Sequence, residues 1–279
     1  MKTPTATWKT VLLLGAALAA LGEGHLSAQS YLVHFGQSTT PALGTNQTIV
    51  EAGVTYSSSN VTTDPNHYWN DILATGQGFL PAGTTSTTQY TSTTTLSNLV
   101  STAGAASGIS VAMGGSYFSG YYNANGPTSG GPYIGNATAS SIVGTNAGNM
   151  VITIAGLVAS DTYNFTIYAS RGTVSDVRSG LYTFTGANSG SGIYDAGNNV
   201  SNTLTISGIA PTASGSVTLT ISTAATNTNS TGFFYLGDLQ IDTIAAAVPE
   251  PAPSFLLAAG GVVLLALARL GRPAAARIG

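Results

Sequence analysis

Apolar and polar residues alternate with a period of two through the second half of the chain. In T-Y-N-F-T-I-Y-A (162–169), Tyr163, Phe165 and Ile167 fall on one face. Tyr182 and Phe184 repeat this, as do Leu204 and Ile206 with Thr203 and Thr205 opposite, and Val217, Leu219 and Ile221 with Thr218 and Thr220 outside. Phe233 to Asp242 is the last such run, with Leu239 and Ile241 inward and a bulge expected at Gly237. Period two means strands with one buried face, and turn residues rather than helices separate them. The expected fold is all-β: an antiparallel β-sandwich.

The first half is less regular. Tyr31 to Phe35 reads as a strand, as does Thr48 to Tyr56, broken at Gly53. Asn66 to Ala74 reads as a turn or one short helix. Thr84 to Thr95 is nearly pure Thr and Ser, with no apolar face until Leu96, Leu99 and Val100, and suits a solvated edge or loop. Ala103 to Asn149 is rich in Gly, Ala, Ser and Asn. It holds one strand at Ile109–Met113 and should otherwise be loop.

Both ends depart from this pattern. Lys2 and Lys9 precede an apolar segment, Val11 to Leu21, too short to span a bilayer; Leu26-Ser27-Ala28 then offers a cleavage site before Gln29. At the other end V-P-E-P-A-P-S (248–254) cannot be helix or central strand through its prolines. An apolar run from Phe255 to Ala268 follows, then Arg269, Arg272 and Arg277. This run just reaches spanning length when its flanks are counted, and its basic end should stay cytoplasmic.

Val248, Pro249, Glu250 and Pro251, the apolar helix and the arginine-bearing end resemble the PEP-CTERM sorting signal. That resemblance implies an exported protein of a Gram-negative, exopolysaccharide-producing bacterium. It implies export machinery and an exosortase as partners, a stay in the inner membrane by the C-terminal transmembrane helix, and release to the cell surface or extracellular matrix. Family tails usually end in a tight arginine cluster, whereas these arginines are spread out. The expected division is a signal peptide at 1–28, a β-sandwich body at 29–247 and a sorting tail at 248–279.

A second resemblance covers the body from Tyr31 to Ile241. Y-L-V-H-F-G (31–36), N-H-Y-W-N-D-I (66–72), the stretch from Gly156 to Arg171, Y-T-F-T-G (182–186), the stretch from Asn198 to Pro211 and Y-L-G-D-L-Q-I (235–241) look like the jelly-roll modules related to malectin and galactose-binding-like domains. This implies a jelly-roll sandwich, in some members carbohydrate-binding, without catalysis of its own.

Charge narrows the function. The chain has 7 Lys and Arg; without Lys2, Lys9, Arg269, Arg272 and Arg277, only Arg171 and Arg178 belong to the body. Of 10 acids, all but Glu23 and Glu250 lie there, so the body carries two positive and eight negative charges, a net −6. Such a surface cannot neutralise many phosphates, which excludes nucleic acid as a partner. Cysteine is absent, so there is neither a disulfide framework nor thiolate chemistry.

The candidate chemistry is sparse. Trp69, Tyr117, Tyr121, Tyr122 and Tyr133, with Phe118, could form a platform for sugar rings on exopolysaccharide, or cap the sandwich. His67-Tyr68-Trp69-Asn70-Asp71 could line a sugar pocket, with Asn70 and Asp71 hydrogen-bonding hydroxyls, or form a turn whose Trp69 plugs the core end. Arg171, Asp176 and Arg178 suit a structural ion pair fixing a hairpin loop, with an acidic sugar as the alternative partner. Asp195, Asp238 and Asp242 are candidates for a structural Ca²⁺, without the regular spacing of a calcium loop. No cofactor and no other metal are implied. Catalysis is not expected. His34 and His67 are the only histidines outside the leader, and no G-x-S-x-G elbow or His/Cys metal cluster is present.

Overall fold

The computed structural model describes residues 28–37, 50–51, 54–55, 67–74, 95–114, 122–123 and 126–244, with backbone alone at some of them, Tyr122 included. Residues 1–27 of the expected leader, the expected sorting tail (248–279), Tyr117, Phe118, Tyr121 and most of the Thr-rich tract lie outside these residues. Among the described residues no helix is long and apolar enough to cross a membrane.

In chain order the elements are β1 (Ser30–Gln37), β2 (Val50–Glu51), β3 (Val54–Thr55), β4 (Asn70–Ala74), β5 (Thr95–Leu96), β6 (Ser110–Gly114), β7 (Tyr122–Asn123), α1 (Gly135–Ala139), β8 (Ser141–Gly144), β9 (Met150–Ala155), β10 (Thr162–Tyr168), β11 (Ser179–Thr185), β12 (Ser189–Asp195), β13 (Leu204–Ile209), β14 (Ser216–Thr223), β15 (Phe234–Leu236) and β16 (Asp238–Ile244). One sheet runs β13-β10-β16-β1-β4 and the other β12-β11-β14-β9-β6-β5. A small sheet, β15-β8-β7, and the hairpin β2-β3 complete them.

Alternation in the sequence becomes the sandwich core. Tyr31, Val33, Phe35, Tyr163, Phe165, Ile167, Leu239 and Ile241 of the five-stranded sheet share one buried cluster with Val111, Ile152, Ile154, Tyr182, Phe184, Val217, Leu219 and Ile221 of the six-stranded sheet. Phe165 and Phe184 stack across the layers at 4.3 Å between ring centroids. The all-β sandwich is therefore as expected, with one departure from antiparallel order: β1 and β4 pair in parallel, Val33 opposite Asn70 and His34 opposite Asp71.

Several elements differ from the sequence reading. Between residues 103 and 149, expected to be loop apart from Ile109–Met113, the chain also forms β7, α1 and β8, and β8 is buried throughout, so its short apolar run shows no alternation. Residues 70–74 form an edge strand, not a turn or helix. Asn70 secures it, donating to Leu32 O and Val100 O and accepting from Val100 N, so a polar residue supplies three bonds that hold a short strand in place. The last apolar run is two strands, not one bulged strand. Gly237 breaks it, so β15 joins the small sheet through β8 while β16 crosses to lie between β1 and β10. Gly237 donates to Tyr168 O and accepts from Phe35 N.

The five-stranded sheet is also covered on its outer face. Leu32, Trp69 and Ala137 form a second small cluster there, with Tyr133 and Ile134 packed against it. Residues 126–140, which include α1, act as a cap over this face. Thr138 Oγ1 donates to Pro127 O, and Gly126 N donates to Ala139 O, which closes the cap on itself.

Candidate functional site

Between cap and sheet lies a row of ionisable side chains. Asp238 on β16 is directly opposite His34 on β1, and His34 is directly opposite Asp71 on β4. On the far side Asp238 faces Tyr168 of β10. All four are buried, His34 at 1% exposure and both aspartates at 0%. His34 Nδ1 meets Asp238 Oδ1 at 2.8 Å, and His34 Nε2 meets Ser140 Oγ at 3.1 Å.

Electrostatics tie the row together. Burial alone would push the His34 imidazole down. The Asp238 hydrogen bond and charge, the Asp71 charge and a hydrogen bond with the Gly237 backbone outweigh it, holding the imidazole above its ordinary value. Burial raises the Asp238 carboxyl, against the opposing pull of His34. Together the two groups hold a proton more tightly than either would in water.

Ser140, His34 and Asp238 stand in the order of an acyl-transfer triad. Among the described residues the Ser140 hydroxyl is enclosed, and the helix end beside it presents acceptors. Ser140 is 3% exposed, so no substrate carbonyl reaches its hydroxyl. It also follows the end of α1, where free carbonyl oxygens rather than N–H groups point outward. An oxyanion needs donors at that place. The geometry is that of an interior lock: β1, β16 and the cap are joined through one imidazole, with the Asp71 charge of β4 acting on it.

The other candidate residues are placed as follows. Trp69 is 1% exposed and meets Tyr133 edge-on at 5.4 Å. Neither face of its indole is open, so Trp69 is corrected from sugar platform to core. Tyr133 is half-buried, contacts Tyr168 edge-on at 6.2 Å and donates its hydroxyl to Gln240 at 3.0 Å. It pins the cap to the sheet. Tyr122 is described in backbone only, in β7. Asn70 and Asp71 are buried at 0%, closed to sugar hydroxyls, while His67 and Tyr68 are exposed.

Asp176 and Arg178 do form an ion pair, at 2.7 Å. Arg178 also donates to Tyr235 Oη at 2.8 Å and lies over the Phe233 ring at 5.1 Å. Asp176 accepts from Asn229 on its other oxygen, and the Arg178 and Asn229 bonds hold its carboxyl below the ordinary value. The Arg171 backbone N–H donates to Ala196 O and its carbonyl accepts from Asn198 N, and its charge acts on the same Tyr235 phenol as that of Arg178. Arg178→Lys should cost about 1–2 kcal/mol in urea unfolding, because an ammonium cannot serve Asp176, Tyr235 and the Phe233 face at once. A loss below about 0.3 kcal/mol would show that only charge matters there.

The three acids read as calcium ligands are not brought together. Asp238 is committed to His34, Asp195 Oδ1 accepts from Arg178 N and Gly197 N, and Asp242 accepts from Gln240 Nε2. Among the described residues no three His, Cys, Asp or Glu side chains are grouped to hold a metal ion. The donor set does not fit calcium.

No family model matches the chain. No curated protein matches it either. Among solved structures it is similar to the ANX2 ectodomain from Arabidopsis thaliana, with 11% identity over 81% of this chain and 54% of that one, and a TM-score of 0.39. It is similar also to the plant receptor-like kinase ANX2, with 10% identity over 81% of this chain and 52% of that one, TM-score 0.40. The ANXUR2 extracellular domain from Arabidopsis thaliana gives 11%, 81%, 52% and 0.39 in the same order. The chain thus spans about half the length of the solved chains it matches. Likeness at this level assigns neither ligand nor partner.

The Ser140–His34–Asp238 row escaped the sequence reading, though one signal pointed to it. Y-L-V-H-F and F-Y-L-G-D-L do not alternate cleanly; such runs mark strands buried on both faces. A His and an Asp inside them must therefore be partnered.

Proposed function

We propose that this chain is an exported, non-enzymatic surface or matrix protein, delivered and released through its C-terminal tail. The observation that carries this reading is the order of V-P-E-P at 248–251, the apolar run 255–268 and Arg269, Arg272 and Arg277, at the opposite end from a leader-like segment. In this reading the apolar run holds the chain in the inner membrane and an exosortase cuts near Pro249–Pro251. The body, a jelly-roll sandwich with a net charge of −6 and a surface of Thr, Ser, Asn and Gly, is the cargo. Such a surface stays hydrated and carries few cations among neutral polymers.

The test compares the full chain with a Pro249→Ala/Glu250→Ala/Pro251→Ala variant in an exosortase-bearing bacterium and in the same strain without the enzyme. The expected result is a shortened chain at the surface or in the medium for the parent alone, and only where the enzyme is present. Equal length and location in all cases would refute the sorting role. A fluorophosphonate probe should leave the folded chain unlabelled; labelling at Ser140 would overturn the non-enzymatic reading.

Carbohydrate binding is the alternative, now resting on the aromatic residues from Tyr117 to Tyr122. Retardation of the chain by one polysaccharide in affinity electrophoresis, lost in Tyr121→Ala/Tyr122→Ala, would favour it over an inert cargo.

A further inference from the structure

The cap is fastened at its end to a buried imidazole whose proton is held more tightly than in water. Ser140 closes the cap segment and its hydroxyl meets His34 Nε2, while His34 Nδ1 is held by Asp238. Elsewhere the cap meets the sheet through Ala137, Ile134 and Tyr133 against Leu32 and Trp69, the edge-on contact of Tyr133 with Tyr168, and a phenol bond to Gln240. We propose that the Asp238–His34–Asp71 row is a proton-operated latch, in which His34 holds the cap 126–140 onto the five-stranded sheet while protonated and lets it loosen when the proton leaves.

The reason is charge balance in a dry interface. With its proton, the imidazolium sits in register between two carboxylates, each directly opposite it. Without it, two buried carboxylates face each other across a neutral ring. The groups acting on His34 are Asp238 from β16, Asp71 from β4 and the Gly237 backbone, with no lysine or arginine among them. Ser140 faces it from the cap, and Tyr133, Tyr168 and Tyr194 flank Asp238 from the cap, β10 and β12. All three phenols are held above their ordinary range, so they stay neutral while His34 titrates. Water entering with an opened cap would solvate the carboxylates, which is the driving force for loosening.

The direction follows from linkage. His34 is raised above 6.5 in the folded chain, so its contribution is complete below 6.5 and is lost as pH rises through the folded-state value. Asp238 is raised above 3.8, and its contribution fades in the same direction from a lower starting point. The cap is closed in mild acid and loosens toward alkaline pH.

Trp69, packed under the cap, is the reporter, and Trp8→Phe makes it the single tryptophan of the full chain. Acrylamide quenching of Trp69 is followed in detergent micelles from about pH 5 to about pH 9, with far-UV circular dichroism alongside. Quenching should be low and flat in acid and then rise, by at most about tenfold in the opening constant per pH unit for one proton, while the sheet signal holds. His34→Gln should abolish the rise, and Asp71→Asn should move it to lower pH by removing one charge that retains the proton. Flat quenching in the parent, an unaltered rise in His34→Gln, or loss of the sheet signal over the same range would overturn the latch. Should His34→Gln fail to fold, Asp71→Asn decides: an unmoved midpoint overturns it.

Discussion

His34→Ala is expected to lower the stability of the body by about 3–5 kcal/mol, because it removes one partner of a buried ion pair and leaves the other charge behind. Asp238 at 0% exposure loses the hydrogen bond to Nδ1, and Asp71, also at 0%, loses its charge interaction with the imidazole. Ser140 loses its partner on Nε2 at the same time. Both carboxylates are buried, so keeping their charge without the imidazolium favours protonation or an opened cap. Equilibrium urea unfolding at neutral pH measures the loss. A cost under about 1 kcal/mol would mean that the row is hydrated and that the cap is already loose.

Gly156→Ala should be comparably severe, at about 3 kcal/mol or more, for a reason of backbone alone. Gly156 follows β9 at φ +79°, where an L side chain is strained. A Cβ there would lie 2.1 Å from Gly108 O, and a carbonyl fixed just before β6 cannot swing aside as a side-chain tip would. Its neighbour Leu157 bonds by its N–H to Gly215 O, so the turn is clamped from two sides. Thermal unfolding of the variant beside Gly208→Ala makes the comparison fair: Gly208 has φ +71° but open space around a Cβ. Equal losses in the two would show that strain at φ, and not the clash, sets the cost.

The strands that could be read from the chain are those whose inward side chains are large. Phe165, Phe184, Leu219 and Ile241 announce their faces because each fills its own share of the core. The strand β12, S-G-S-G-I-Y-D, announces nothing, since its two inward glycines fill no space. The opposite sheet supplies the filling: a Cβ on Gly192 would lie 2.7 Å from Leu204 Cδ1, and one on Gly190 2.7 Å from Ile206 Cγ2. Emptiness on one strand is matched by bulk on another, and that match is not a local property. Trp69 could be read two ways for a related reason. An aromatic among polar residues suits both a ligand platform and a plug, and the cap that decides between them lies about sixty residues further on. Asp238 was read as a solvated acid or a calcium ligand because the partner that explains it is separated by 204 residues.

That separation bears on the route by which the body reaches its final state. The first strand of the body, β1, pairs along its length with the last, β16, from Ser30 opposite Asp242 to His34 opposite Asp238. Gln29 O accepts from Thr243 N, so the two ends of the body are stitched together. The central pair of the five-stranded sheet therefore cannot form until the whole body has emerged from whatever threads it. A chain delivered from its N-terminus must cross unfolded with β1 waiting, its long loop paid for only when β16 arrives. Completion of the fold and arrival of the segment after Ile244 are then one event in time. Any interruption of synthesis or threading before that point leaves two bare sheet edges in place of a finished molecule.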